Sequence, residues 1–279
     1  MTHVLWLYGV TPGGLPRPLV EAVELAAIGH AGLVALVEPL PAADFTPAAL
    51  EAKLQSMEWV AGWARRHQAV LAAAMAHGPV IPARFATLFT GPDAVAGALA
   101  SGRARFLATI ERVSGSAEWG VKIFCDHRRL AAILAADEGQ LPPAQPPSAA
   151  TGTTSGLAYI LAKRRMARAE ELAVERAFAV ADEVLDALAP CVVESRQRPL
   201  LDARVSGRDD TMEVNLAALV ELGREDALRA VVSEAASRFG PCGFTLQMSG
   251  PFAPYSFCDD DPPSGPAPAT DTAEQAEDG

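Results

Sequence analysis

The chain has 279 residues, half of them hydrophobic, a length that at about 150 residues per domain predicts two domains with separate cores. With 23 Lys plus Arg against 34 Asp plus Glu, its formal charge of −11 argues against nucleic-acid binding, which needs a basic surface to neutralise phosphates. The charge is uneven: residues 259–279 hold seven acids and no base, so residues 1–258 carry only −4.

Residues 4–9 read as a buried strand, a short apolar run with an aromatic pair, stopped by Gly9 and the Pro12-Gly13-Gly14 turn cluster. Residues 33–37 are a second strand candidate, and the segment 19–28 before them fits helix or strand equally. The clearest helix of the first half spans residues 47–76. Thr46 is its N-cap, Pro47 occupies the first helical position, and Leu50, Leu54, Met57, Ala61 and Ala64 make one apolar face. Residues 80–85 read as a strand that Pro82 restricts to an edge or an irregular start. Helical signal returns after Asp93 and runs to Val113, with a break expected at Ser101-Gly102. Residues 118–125 alternate as a strand with Trp119, Val121 and Ile123 on one face, and 127–136 form a short helix.

Residues 137–155 have linker composition, with two Pro-Pro pairs followed by a Ser/Thr/Gly run. The expected organisation is therefore an N-terminal α+β domain at 1–136, a linker at 137–155, a C-terminal α+β domain at 156–258 and an acidic tail at 259–279 read as disordered. The second domain opens with a long helix over 156–188, whose apolar stripe is read as Ala167, Val174, Phe178, Ala181, Leu185 and Leu188. Lys163, Arg164, Arg165 and Arg168 near its start form either a solvated face or a dock for an acidic partner or the tail. Short strands follow at 191–194, 200–205 and 212–218, with a hairpin turn signal at 207–210, then an amphipathic helix at 224–239 and a last strand at 244–248.

No motif carries catalytic chemistry. The glycines of residues 9–14 are spaced like a phosphate-binding loop, but Leu15 stands where that loop needs Lys. There is no dinucleotide-binding glycine fingerprint, and residues 152–156 are not a nucleophile elbow. Cys125 and His127, with His67 and His77 elsewhere in the same half, lack the spacing of a zinc site. No enzyme, cofactor or metal is expected. The first residues carry no basic region ahead of their apolar run, so a signal peptide is not expected. The longest uncharged apolar stretches fall short of the ~18 residues that span a bilayer. Four scattered cysteines without a CxxC suit reduced thiols. A cytoplasmic protein is expected.

Four segments, in order, resemble the gas vesicle protein GvpF/GvpL family. They are the opening Leu5-Trp6-Leu7-Tyr8-Gly9-Val10; His67-Gln68-Ala69-Val70-Leu71 followed by Val80-Ile81-Pro82-Ala83-Arg84-Phe85-Ala86-Thr87-Leu88-Phe89; Glu118-Trp119-Gly120-Val121-Lys122; and Gly250-Pro251-Phe252-Ala253-Pro254-Tyr255-Ser256-Phe257. Ala86 stands where the family has Gly, and since Ala resists positive φ, a left-handed backbone is not expected there. Phe252-Ala253 replaces the family's Trp-Pro, which shrinks an aromatic anchor.

The resemblance implies two ferredoxin-like α+β domains and an accessory role in gas vesicle formation, with no catalysis. It implies binding to the major hydrophobic shell protein and to other accessory proteins, in the cytoplasm and in association with vesicles; the alternatives are a minor structural component of the finished shell and, in a different class, a small-molecule enzyme with an unrecognised site. No membrane, nucleic acid or small-molecule substrate is implied. The residues it singles out for structural or interaction roles are His67, Pro82, Arg84, Phe85, Lys122, Gly250, Pro251, Tyr255 and Phe257. Phe85, Phe89, Phe252 and Phe257 are expected as core or interdomain aromatics. Arg84 and Lys122 either pair internally or touch a partner. The closing Gly-Pro-rich segment cannot extend a helix and is expected to lie over the first domain.

Overall fold

A computed structural model describes residues 3–13, 25–137, 154–202 and 207–258. The chain divides into two compact α+β units, Met1–Glu118 with Pro251–Gly279, and Trp119–Gly250.

The first unit is built on β1 (His3–Pro12), β2 (Ala26–His30), β3 (Leu33–Pro41), β4 (Ile81–Pro82) and β5 (Leu88–Phe89). Its strand order is β2-β3-β1-β4, with β5 also on β1, and the pairings are antiparallel. Register slips between Leu7 and Gly9, where Leu7 faces Val37 and Gly9 faces Leu36. This bulge at Tyr8 decides which side chains face which layer. Trp6 and Tyr8 go to one side and pack with Val70, Leu71 and Ala74 of α2 (Met57–Met75). Leu5, Leu7 and, past the bulge, Val10 go to the other side, against Val95, Leu99, Phe106 and Ile110 of α3 (Pro92–Val113). Gly9 is required beside β4, because a Cβ there would sit 2.7 Å from the Ile81 carbonyl oxygen.

The second unit uses β6 (Ser116–Cys125), α4 (His127–Asp137), α5 (Thr154–Leu188), β7 (Glu194–Gln197), β8 (Thr211–Glu221), α6 (Glu225–Phe239) and β9 (Phe244–Phe252). Its sheet order is β7-β8-β6-β9, the strand order of a ferredoxin-like βαββαβ unit. Trp119, Val121, Ile123 and Cys125 alternate into its core, as the period-2 pattern requires.

Several expectations change. The helix expected over 47–76 is two, α1 (Pro47–Leu54) and α2, because the Ser56 hydroxyl caps a new start by accepting the Trp59 N–H at 3.3 Å. α3 runs unbroken through Ser101-Gly102. The strand expected over 80–85 is only β4, and β5 is added. Residues 200–202 are not strand, and 203–206 lie outside the described residues.

The long helix buries only part of the stripe expected: Ala181 and Leu188 are in the core and Leu185 packs against it. Ala169, Ala173, Ala177, Val180, Val184 and Leu188 line the core, while Ala167, Val174 and Phe178 are exposed. Alanines let the helix approach the sheet closely, and the larger side chains are left outside.

The boundary expected at 137–155 is not where the units divide. β6 and α4 pack into the second core through Ile123, Leu130 and Ala131, and the closing segment belongs to the first unit. The expected linker lies almost wholly outside the described residues, as does the acidic tail. Among the described residues no helix is long and apolar enough to cross a membrane.

Candidate functional site

Three of the four singled-out segments converge on the face of the first sheet that carries Trp6 and Tyr8. β1 supplies these two rings, both fully buried. α2 supplies Trp59, Trp63, Arg66 and His67 at helical spacing, so that all four side chains reach the same layer. Phe85 sits in the turn between β4 and β5. Tyr255 comes from the closing segment.

Trp6 is the hub. Its ring centroid lies 4.6 Å from that of Trp63, 5.2 Å from Phe85 and 6.3 Å from Trp59, the last two edge-on. His67 is 2% exposed, and its Nδ1 accepts the Trp6 Nε1–H at 3.4 Å. That bond places the neutral ring's proton on Nε2, which is buried without a hydrogen bond of good geometry and has the Ala83 backbone as its nearby polar group. The Tyr8, Phe85 and Tyr255 rings surround the imidazole at 5.1, 6.2 and 6.5 Å. Burial pulls the His67 pKa down to about 4, with the Ala83 backbone opposing weakly. It is a neutral core histidine at physiological pH.

Beside it, Arg66 grips Glu38 through two parallel bonds, Nε to Oε2 at 2.9 Å and Nη2 to Oε1 at 2.8 Å. The Tyr8 hydroxyl donates to Glu38 Oε2 at 2.5 Å, and its pKa is raised by burial and by that carboxylate. This triad ties α2 to β1 and β3. Outside it, Glu58, Trp59, Gly62, Trp63 and Arg66 line an open groove of about 250 Å³. Met57, which precedes Glu58 in the chain, is 81% exposed.

The closing segment is fixed from within the same unit. The buried Glu118 carboxylate accepts the Ser256 backbone N–H at 2.7 Å and its hydroxyl at 3.1 Å, and Arg112 donates to the Phe257 carbonyl. Ala253 and Phe257 are buried, whereas Phe252 is 37% exposed, so Phe257 and not Phe252 is the aromatic anchor.

The remaining singled-out residues are scattered. Pro82 is buried in β4, beside Gly9. The Arg84 side chain is exposed, and its carbonyl accepts both the Thr87 N–H and the Thr87 hydroxyl. That turn holds Ala86 at φ +64°, contrary to expectation, in the short link between β4 and β5, both paired to β1. Lys122 is half-buried on β6 in the second unit. Gly250, at φ +136°, ends that unit, and Pro251 is exposed at the start of the closing segment.

The residues tested for chemistry do not form a reactive pair. Burial and the nearby Glu213, Asp126 and Asp210 carboxylates push the Cys125 thiol up to about 12, so its thiolate is not formed at neutral pH. His127 Nε2 lies 2.6 Å from Glu213 Oε1. Among the described residues no group of three or more His, Cys, Asp or Glu is placed to hold a metal. All four cysteines are free thiols. The Arg66–Glu38–Tyr8 triad and the Glu118 clamp were not singled out from sequence, since their members lie 28–58 and 138 positions apart.

The two-unit fold defines the class: it is the fold of solved GvpF proteins. The crystal structure of GvpF from Anabaena sp. PCC7120 matches with a TM-score of 0.66 at 18% identity, covering 93% of this chain and 98% of that one. GvpF from Microcystis aeruginosa matches at 0.64 and 18%, covering 93% and 100%. In sequence, the family described as gas vesicle synthesis protein GvpL/GvpF matches residues 4–259, and the chain belongs to that family. It is 31% identical over 228 residues to gas vesicle protein L of Streptomyces sp. (strain CB03234), covering 82% of this chain and 80% of that one. It is 28% identical over 220 residues to gas vesicle protein L2 of Halobacterium salinarum (strain ATCC 700922 / JCM 11081 / NRC-1), covering 74% and 75%.

Proposed function

We propose that the chain is a non-catalytic accessory protein of gas vesicle formation. It binds the major hydrophobic shell protein and other vesicle accessory proteins in the cytoplasm and promotes nucleation or assembly of the shell. The observation that carries this reading is family membership across residues 4–259. The site supports it: Trp6, Tyr8, Phe85 and Tyr255 of the family motifs pack together in one layer of the first unit, and Cys125, His67 and His127 are buried or paired. Shell subunits expose large apolar surfaces before they polymerise, and a net charge of −11 keeps a complex with such a subunit soluble through repulsion.

Co-expression with the shell protein tests the reading. Co-purification and a gain in soluble shell protein are expected; neither appearing would refute it. Washing purified vesicles and probing for the chain distinguishes a factor that leaves from a component that stays.

A further inference from the structure

α5 carries two apolar stripes, and the second is exposed apart from Leu185 at its end, which packs on the second core. The inner stripe of alanines, with Val180, Val184 and Leu188, packs on the second core. The other lies roughly 110° around the helix at 100° per residue. It consists of Ile160, Ala167, Val174 and Phe178, continued by the half-buried Leu185, at spacings of 7, 7, 4 and 7. Ile160 is 50%, Val174 43% and Phe178 59% exposed. Seven- and four-residue steps keep these side chains on one line for about 37 Å, the repeat of a helix that packs against another helix.

The charges beside this stripe indicate which helix. Along one flank they run Arg164, Arg168, Glu175, Asp182 and Asp186, two bases and then three acids. Glu171, on the stripe's edge, is held by Arg168 at 3.3 Å. A parallel copy would bring this flank against the partner's other flank, where only Lys163 and Glu170 carry charge, and would leave most of these charges without a complement. An antiparallel copy with its two-fold axis near residue 173 sets Arg164 against Asp182 and brings Arg168 to the acidic half of the partner. It also lays Phe178 beside the partner's Ala167. A two-fold contact uses one patch twice, and this patch is complementary to itself only in that orientation.

We infer that α5 is the dimer interface of this protein, pairing antiparallel with α5 of a second copy through the Ile160–Val174–Phe178 stripe. The full chain then sediments as a concentration-dependent dimer in the micromolar range. Phe178→Asp lies on an exposed position, so it leaves helicity and the Tm of the dilute monomer unchanged while weakening the dimer at least about tenfold. The double variants Arg164→Glu/Arg168→Glu and Asp182→Lys/Asp186→Lys are each expected to be monomeric, and mixing them restores a heterodimer. A chain that stays monomeric at every concentration would overturn the proposal. So would a dimer indifferent to Phe178→Asp, or charge-reversed variants that fail to pair on mixing.

Discussion

His67 makes the stability of the first unit depend on pH in a way that can be isolated. Its imidazole is buried among Trp6, Tyr8, Phe85 and Tyr255, and its pKa is lowered from 6.5 to about 4. Between these values the unfolded chain binds the proton and the folded chain does not. Stability contributed by the neutral ring is therefore complete above pH 6.5 and is lost as the pH falls toward 4. At about 1.4 kcal/mol per pH unit, the window is worth about 3 kcal/mol, a large share of the 5–15 kcal/mol typical of a whole domain. Carboxylates titrate over the same range, so the readout is a difference. Urea unfolding free energies are measured from pH 4 to 8 for the native chain and for His67→Asn. Asn keeps an acceptor for the Trp6 N–H but has no proton to gain. The variant is less stable at pH 8, because it leaves part of the ring's volume empty. The gap between the two proteins should then shrink by about 3 kcal/mol on going to pH 4. Parallel pH profiles would refute the claim that a neutral, buried His67 is part of the fold.

Three further predictions concern single positions. Glu118→Ala should cost about 2–3 kcal/mol in urea unfolding and speed amide exchange at Ser256 and Phe257, since the Ser256 N–H loses its charged acceptor. Gly9→Ala should destabilise by about 1–3 kcal/mol, or prevent folding, because the added methyl meets the Ile81 carbonyl oxygen at 2.7 Å; an unchanged Tm would contradict the close β1–β4 approach. In the β2–β3 turn, Ala31 and Gly32 both have positive φ, +51° and +82°. Ala31→Asn supplies the residue such a turn prefers and should raise stability by about 0.5–1 kcal/mol, read as a shift in the urea midpoint.

Where a local pattern decided the structure, it was readable from the sequence. The alternation of Trp119, Val121 and Ile123 identified a core strand, and Thr46-Pro47 marked a helix start. Other features depended on packing between distant segments. α5 buries alanines, which contribute little to any hydrophobic pattern, so the larger Val174 and Phe178 were read as its inner face. The proline-rich stretch at 137–155 has the composition of a boundary, yet β6 and α4 pack into the second core before it. The closing segment returns to the first unit because Glu118 and Arg112 bind it there, across 138 and 145 positions. Ala86 takes a left-handed backbone in the short link between two strands that are both paired to β1, a setting that does not appear in the identity of residue 86.

One measurement tests the shell-binding role most directly: the amount of soluble shell protein recovered with the tagged full chain after co-expression. The prediction is that shell protein co-purifies and that its soluble fraction rises several-fold over expression alone. Shell protein that stays wholly insoluble and absent from the purified chain, while the chain itself is folded, would contradict it.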